Sequence, residues 1–499
     1  MTSGAALRTM PGSMNDPGFS LPPATRRVYA NRTLNLRAIK AIGCDMDYTL
    51  IHYRHELWER RAYEHVSKSL RDNGWPVDGL EFDPEFATRG LILDLELGNL
   101  VKASRFGYVT RASHGTQMLS HEAQRAAYAR VLIDLSERRW VFLNTLFSLS
   151  EACIYAQLVD RMDAGEISPK RSYRELYEVV ATSVNLAHME GALKAEIVRD
   201  PERFVVRDEE LPLTLLDWQH AGKAVVLITN SEWLYTRAMM SYAFDRHLPK
   251  SKTWRDLFEL AVVDARKPSF FTDKYPLLEL VDEQGLLRPC IGKLRKGGVY
   301  YGGNARLVED YLGLSGEEIL YIGDHVYADV HVTKDVLRWR TALVVRELEQ
   351  EIDDAKAFAA DQVRLDAWME KKTELEQHYS QLRLSLQRAE AGYAPPLHAD
   401  VTSVRAQMGA VRSELVTLDG AIAELARRAS EQGNRRWGPL LRAGNDKSRM
   451  ARQLERYADI YTSRVSNLAY YTPYAYLRPP HGLLPHDARV TDLTPDKPV

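Results

Sequence analysis

Five short, mostly apolar runs along the chain end abruptly in polar or charged residues. They cover residues 39–44, 224–228, 260–263, 319–323 and 341–345. Runs of this length, separated by stretches with apolar residues at helical spacing, predict buried strands that alternate with helices. Such alternation indicates a parallel sheet with helices on both faces, because parallel strands need crossover connections. We therefore predict an α/β fold built on a Rossmann-like, doubly wound parallel sheet.

The residues that follow four of these runs can carry chemistry. They are Asp45 and Asp47 after the first run, Thr229, Asn230 and Ser231 after the second, Lys267 after the third, and Asp324 and Asp329 after the fourth. Open α/β sheets bind ligands at the carboxyl ends of their strands, where these residues would meet. Each residue alone has an ordinary alternative, such as a solvated turn, a helix cap or a surface lysine. Their order along successive strands is what predicts a site.

An Asp-x-Asp-x-Thr sequence directly after a buried strand supplies two carboxylates with different tasks. Asp45 would attack a phosphorus centre and form an aspartyl-phosphate. Asp47 would protonate the leaving alkoxide and later activate water. Thr229, Asn230 and Ser231 would bind the phosphoryl oxygens.

A divalent cation is expected because a carboxylate nucleophile and a phosphate ester repel each other. Mg²⁺ prefers oxygen ligands, so we predict a metal site formed by Asp45, Asp47 through its backbone carbonyl, Asp324 and Asp329. Asp329 would either be an outer-shell ligand or hold Lys267. Lys267 would neutralise charge on the nucleophile and on the transferring group.

This order of motifs resembles the haloacid dehalogenase superfamily of phosphotransferases, and within it the cytosolic purine 5′-nucleotidase family that prefers IMP and GMP. The stretches that carry the resemblance are residues 43–50, 142–147, 263–268, 299–303, 321–325 and 456–461. The resemblance implies Mg²⁺-dependent hydrolysis of nucleoside 5′-monophosphates by a Rossmann-like core with a helical cap. It also implies a homo-oligomer, a dimer or a tetramer built from dimers.

The resemblance also implies substrate-binding residues, which are Asn144, Phe147, His188 and Lys194. Phe147 would stack on a base, although an aromatic or a histidine on such a helix can equally belong to a core. The Arg, Asp and Tyr that read the purine in the family are replaced here by Ala181, Asn185 and Met189. Loss of a guanidinium and a carboxylate should change base recognition.

The pattern divides the chain into six segments. We expect a disordered leader over 1–30, a catalytic core over 31–53 and 207–350, a mainly helical cap over 54–206, a helical hairpin over 351–430, a C-terminal segment packing on the core over 431–487, and a disordered tail over 488–499. Long helices are expected in the cap over 139–163 and 173–194. The hairpin pattern fits either a simple packed pair of helices or a partner-binding coiled coil.

Charge balance and cysteine content indicate which partners and which cellular environment to expect. The 499 residues contain 66 Lys and Arg against 68 Asp and Glu, which gives no reason to expect nucleic acid or a membrane as a partner. Three widely spaced cysteines do not form a disulfide framework, and they fit a reducing, cytoplasmic environment. We therefore expect a 5′-nucleotidase. The alternatives are a related phosphatase acting on another phosphorylated metabolite, and a non-catalytic scaffold.

Overall fold

A computed structural model describes residues 21–169, 171–189, 191–393 and 400–482, with residues 188 and 189 described by their backbone alone. The chain forms two compact units. The core unit contains residues 21–52, 206–346 and 454–482. The helical unit contains residues 53–205 and 347–453, apart from the gaps in the described ranges.

The core unit is built on a ten-stranded sheet, counted over the described residues, in which seven neighbouring strands are parallel. These are β1 (Ala41–Cys44), β2 (Ala224–Ile228), β3 (Leu260–Val263), β4 (Gly298–Gly302), β5 (Ile319–Gly323), β6 (Arg340–Val344) and β7 (Ile460–Thr462). Their spatial order is β7-β6-β5-β1-β2-β3-β4. Antiparallel strands flank them, Tyr29–Ala30 beside β7, then Leu277–Leu280 and Leu287–Pro289 beside β4. The predicted α/β fold with a Rossmann-like parallel sheet is confirmed.

The register of the central strands brings their carboxyl ends to one edge of the sheet. Cys44 of β1 lies opposite Leu227 of β2 on one side and opposite Ile322 of β5 on the other. The residues of these three strands are almost all buried, since helices and connections cover the sheet. The residues that follow the strands therefore emerge side by side.

Helices and turns connect the strands of the core unit. The α-helices span Leu211–His220, Trp233–Phe244, Ser269–Thr272 and Ala305–Leu312. Two π-helical turns, Val326–His331 and Thr333–Leu337, follow β5. The 3₁₀ turns are Ala24–Arg26, Asp245–His247, Trp254–Leu257, Gly316–Glu318 and Val465–Tyr470. Leu34–Asn35 pairs with Tyr476–Leu477 in a separate two-stranded ribbon.

The prediction of a disordered leader over 1–30 was wrong for residues 21–30. The strand Tyr29–Ala30 pairs antiparallel with β7, which comes from the far end of the chain. A two-residue strand has no sequence pattern of its own, so only this distant partner reveals it. Residues 1–20 and the predicted disordered tail over 488–499 lie outside the described residues.

The helical unit combines helices with an antiparallel sheet. Its α-helices span His55–Asp72, His121–Tyr128, Leu149–Asp163, Tyr173–Met189, Ala192–Arg199, Pro201–Phe204, Leu348–Ala357, Ala359–Ala391 and Val401–Ser430. The strands, in spatial order, are Gln117–Met118, Val109–His114, Asn99–Ala103, Ile92–Asp94 and Trp140–Phe142. A short ribbon pairs Arg442–Ala443 with Asp446–Lys447. The helix Arg449–Tyr457 begins in the sequence of the helical unit and ends in that of the core unit. The short strands His52–Tyr53 and Val205–Val206 lie at two other boundaries between the units in the sequence.

Two predicted helices of this unit were too long. Residues 139–148 are not part of the helix Leu149–Asp163, because Trp140–Phe142 joins the antiparallel sheet beside Ile92–Asp94. The helix predicted over 173–194 is two helices, and Gly191 between them has φ 75°. A positive φ is incompatible with a continuing α-helix and is readily adopted by glycine.

The hairpin consists of two long helices, Ala359–Ala391 and Val401–Ser430, that pack on each other. Leu365, Ile422 and Leu425 form its buried contact, and ion pairs such as Lys371–Glu414 cross between the helices. Among the helices in the described ranges, we find none with the length and apolar character needed to cross a membrane.

The C-terminal segment divides differently from our expectation. We assigned residues 431–487 to one segment on the core, but residues 431–453 belong to the helical unit. The Trp437 indole donates to the Phe86 carbonyl at 2.7 Å, and the buried Lys102 amine donates to the Trp437 carbonyl at 2.6 Å. These partners are remote in sequence, so no local pattern indicated them.

Candidate active site

A buried lysine lies between two buried aspartates at the carboxyl edge of the parallel sheet. Lys267 Nζ is 2.7 Å from Asp45 Oδ1 and 2.7 Å from Asp329 Oδ1. Asp45 follows β1, Lys267 follows β3, and Asp329 lies in the π-helical turn after β5. The three side chains belong to different strand–loop junctions, and the sheet register brings them together. Of the two positions considered for Asp329, the one that holds Lys267 agrees with these distances.

The loop before Lys267 has an unusual backbone. Asp264 and Arg266 have φ values of 45° and 61°, which non-glycine residues rarely adopt. The Asp264 and Ala265 amides donate to carbonyls of the loop after β2 at 3.0 Å each. The Asn230 side chain pairs with both backbone groups of Lys267, since its Oδ1 accepts from the Lys267 amide at 2.6 Å and its Nδ2 donates to the Lys267 carbonyl at 3.1 Å. These bonds hold the strained loop that presents Lys267.

Asp47, the second carboxylate of the first motif, is partly exposed and contacts the loop after β2. The Ser231 hydroxyl donates to Asp47 Oδ2 at 2.6 Å. Ser231 itself is held by a bond from its amide to Thr229 Oγ1 at 3.1 Å. A charge-assisted bond of this length orients the carboxylate.

The predicted phosphate-binding residues therefore differ in their surroundings. Thr229 is buried, and its hydroxyl accepts the Ser231 amide. The amide group of Asn230 contacts the Lys267 backbone, and the hydroxyl of Ser231 contacts Asp47. Their binding of phosphate stays a prediction, and the structure gives Asn230 and Ser231 a second, positioning role.

Three carboxylates at this edge form a group that fits a hard divalent cation. One carboxylate oxygen each from Asp45, Asp324 and Asp329 lies within 4.8 Å of the others, and all three residues are buried. Three carboxylates and the Lys267 ammonium have a formal charge of −2, which a divalent cation would balance. All the donors are oxygens, the ligands that Mg²⁺ prefers. The Asp47 carboxylate does not belong to this group. The ligand predicted from Asp47 is its backbone carbonyl, and that part of the metal site stays a prediction.

Burial and charge act together on the protonation of this centre. Burial raises the pKa of the Asp45 carboxyl to about 7, against the opposing influence of Lys267. Burial disfavours charge on Lys267, but Asp329 and Asp45 outweigh it and raise the pKa of the amine well above its ordinary value. A bound cation would favour the ionised form of Asp45. The residues present therefore suit a site that also holds a metal ion.

The predicted substrate-binding residues belong to the helical unit. Phe147 lies in the turn Leu146–Ser148 before the helix Leu149–Asp163, and its ring centroid is 5.3 Å from that of Trp58. Asn144 and Lys194 are partly buried. The side chain of His188 lies outside the described residues. Their contact with a nucleoside stays a prediction.

Tyr321 is a residue of this centre that sequence reasoning missed. Its hydroxyl lies 3.1 Å from Lys267 Nζ and donates to the Ile228 carbonyl, also at 3.1 Å. It lies in the middle of β5, where an aromatic residue has the ordinary interpretation of core packing. Nothing in its sequence position distinguishes it, apart from an unusual polar tip within a fully buried strand.

Comparison with known proteins assigns the chain to a family. Residues 28–489 match the sequence model of the 5′ nucleotidase family. The chain belongs to this family. It is 28% identical over 479 residues to human "5′-nucleotidase domain-containing protein 2", covering 92% of this chain and 85% of that protein. An archaeal β-phosphoglucomutase from Pyrococcus sp. strain ST 04 aligns with 62% of this chain and 87% of its own at 13% identity, with a TM-score of 0.31, too low to add to the fold described above.

Membership in the 5′ nucleotidase family confirms the predicted resemblance to a 5′-nucleotidase family and the predicted enzyme class, a phosphoric monoester hydrolase. The family match spans most of both units, so it includes the carboxylate and lysine motifs and also the segment around Phe147. Cys44, Cys153 and Cys290 are free thiols in the structure.

Proposed function

We propose that this chain is a Mg²⁺-dependent 5′-nucleotidase that hydrolyses nucleoside 5′-monophosphates, with a preference for purines, through an aspartyl-phosphate on Asp45. The observation that carries the proposal is the position of Lys267 Nζ, 2.7 Å from both Asp45 and Asp329, beside the buried Asp324 carboxylate. The family match supports a nucleotide as the substrate.

In the first step, an Asp45 carboxylate oxygen attacks the phosphorus atom, and the bond from phosphorus to the ester oxygen breaks. Asp47, in its protonated form, gives its proton to the leaving 5′-oxygen, and Ser231 orients the Asp47 carboxyl for this transfer. Lys267 stabilises the negative charge that accumulates beside Asp45. The products of this step are the nucleoside and an aspartyl-phosphate.

In the second step, the Asp47 carboxylate takes a proton from a water molecule that attacks the phosphorus atom. The bond between phosphorus and Asp45 breaks, which releases inorganic phosphate and restores the Asp45 carboxylate. Asp45 and Asp324 would hold Mg²⁺, with the Asp47 carbonyl as a further ligand, and Asp329 would stay beside the ion while its carboxylate holds Lys267. When bound, Mg²⁺ supplies charge neutralisation and orientation of the phosphate.

Phosphate release from a panel of nucleoside monophosphates, measured with Mg²⁺ and with a chelator, tests this proposal. Asp45→Asn should abolish turnover, because an amide is a poor nucleophile, while the fold is kept. Asp310→Asn is a matched control, since Asp310 is exposed on the helix Ala305–Leu312. Turnover by Asp45→Asn near the wild-type rate would remove the nucleophile assignment.

A second candidate is a phosphatase that acts on another phosphorylated metabolite. The replacement of the family's purine-reading residues by Ala181, Asn185 and Met189 favours it. Sugar phosphates and other monoesters in the same panel distinguish the two candidates, and a chain inactive on every monoester would be a scaffold. A homo-oligomer and a cytoplasmic location, both inferred from sequence, complete the proposal.

A further inference from the structure

We propose that Tyr321 is a positioning residue that fixes the Lys267 ammonium against Asp45 and Asp329. This inference rests on the proposed phosphatase function and concerns the geometry of its charge-stabilising group.

The Lys267 ammonium has three N–H donors, and three acceptors surround it. They are Asp45 Oδ1 at 2.7 Å, Asp329 Oδ1 at 2.7 Å and the Tyr321 hydroxyl at 3.1 Å. An ammonium with only two acceptors could rotate and shift along its flexible side chain, since lysine has a long, rotatable stem. Of these three acceptors, the Tyr321 hydroxyl is the one that comes from the middle of a sheet strand, β5.

The hydroxyl is itself fixed by the strand that precedes the phosphate-binding loop. Tyr321 donates to the carbonyl of Ile228, the last residue of β2, at 3.1 Å. Burial raises the pKa of the phenol well above its ordinary value, so it keeps the proton that this bond requires. Through one side chain, β5 therefore connects the end of β2 with the lysine that follows β3.

The ring of Tyr321 is locked from several sides. It is fully buried, and the Phe271 ring packs edge-on against it with centroids 5.2 Å apart. Gly43 of β1 lies over the ring, and a Cβ atom at this position would be 2.7 Å from Tyr321 Cδ2. The absence of a side chain at Gly43 is therefore what allows a tyrosine to reach the active-site lysine.

The test is Tyr321→Phe, which keeps the ring and removes only the hydroxyl. Loss of a hydrogen bond to a charged group should lower kcat about tenfold. KM should stay within about twofold, because transition-state charge depends on the position of Lys267 more than substrate binding does. Tyr300→Phe is a matched control, since Tyr300 is a buried tyrosine in β4 whose hydroxyl accepts from the Arg295 amide at 2.8 Å, away from the lysine.

A double-mutant cycle separates positioning from a structural role. If Tyr321 acts through Lys267, the Tyr321→Phe change should have almost no effect on kcat in a Lys267→Met background. An equal kcat loss in both backgrounds, or a Tyr321→Phe kcat equal to wild type, would overturn the inference. Should Tyr321→Phe not fold, Gly43→Ala, whose Cβ atom would lie 2.7 Å from Tyr321 Cδ2, displaces the same ring and should also lower kcat. Absence of phosphatase activity in the wild-type chain would instead refute the proposed function.

Discussion

Replacement of Lys267 by methionine is the most direct test of the buried charge cluster. Methionine keeps an unbranched apolar stem of similar length, so the change removes the ammonium with little loss of packing. It leaves the carboxylates of Asp45 and Asp329 facing each other in a buried place, where only 12% and 1% of their side-chain surfaces are exposed.

The expected losses of stability and of kcat follow from the two ion pairs that Lys267 forms with Asp45 and Asp329. At 2.7 Å and an effective dielectric constant of about 20, each ion pair has a Coulomb energy of about 6 kcal/mol. Most of this energy offsets the desolvation of the three groups, and removal of one partner from a buried pair typically costs about 3–5 kcal/mol of unfolding free energy. Loss of a preorganised positive charge at the reacting group should lower kcat by a factor of about 100 to 1,000.

Urea unfolding followed by circular dichroism, with and without Mg²⁺, measures the loss of unfolding free energy. Phosphate release measures the fall in kcat. The destabilisation should be larger in a chelator than in Mg²⁺, because a divalent cation replaces part of the lost positive charge. Lys274→Met is the control, since Lys274 is exposed in the same unit. A Lys267→Met protein with wild-type stability in the chelator would show that the lysine does not compensate these carboxylates.

Two further predictions concern single hydrogen-bonded carboxylates. Ser231→Ala removes the 2.6 Å bond to Asp47 and should lower kcat about 10- to 100-fold, and a kcat within twofold of wild type would contradict the orienting role. In the helical unit, the buried Glu59 accepts from the Ser150 amide at 2.7 Å near the start of the helix Leu149–Asp163, and burial raises the pKa of its carboxyl from 4.5 to about 7. The folded state therefore binds the proton more tightly than the unfolded state. Because of Glu59, the free energy of unfolding should fall by about 3 kcal/mol as the pH rises from about 4.5 to 7. Above this range Glu59 should cause no further fall. In Glu59→Gln this part of the pH dependence should be absent, and identical stability profiles of the two proteins between pH 4.5 and 7.5 would refute the assignment.

Most strands of the central sheet were predictable because each has a recognisable local sequence pattern. β1, β2, β3 and β5 are continuous apolar runs, and β6 is apolar after Arg340 and Thr341, as expected for strands buried on both faces. The strands at the edges were not predictable, since Tyr29–Ala30 and β7 are short and gain their structure by pairing with partners distant in the chain. In the helical unit, the strand–turn pattern over 91–99 indicates one antiparallel hairpin, but no local pattern indicates that Trp140–Phe142 pairs with Ile92–Asp94.

The sequence by itself determined which chemical groups follow the strands, and the order of Asp45, Thr229, Lys267 and Asp324 was sufficient to indicate phosphoryl chemistry. Only the tertiary structure decided how these groups contact each other. Asn230 holds the Lys267 backbone, Ser231 holds Asp47, and Tyr321 reaches the lysine across the glycine of a neighbouring strand. Local sequence specifies a strand and the residue at its end, but the distance between two such ends depends on strand order and register, which are properties of the whole sheet.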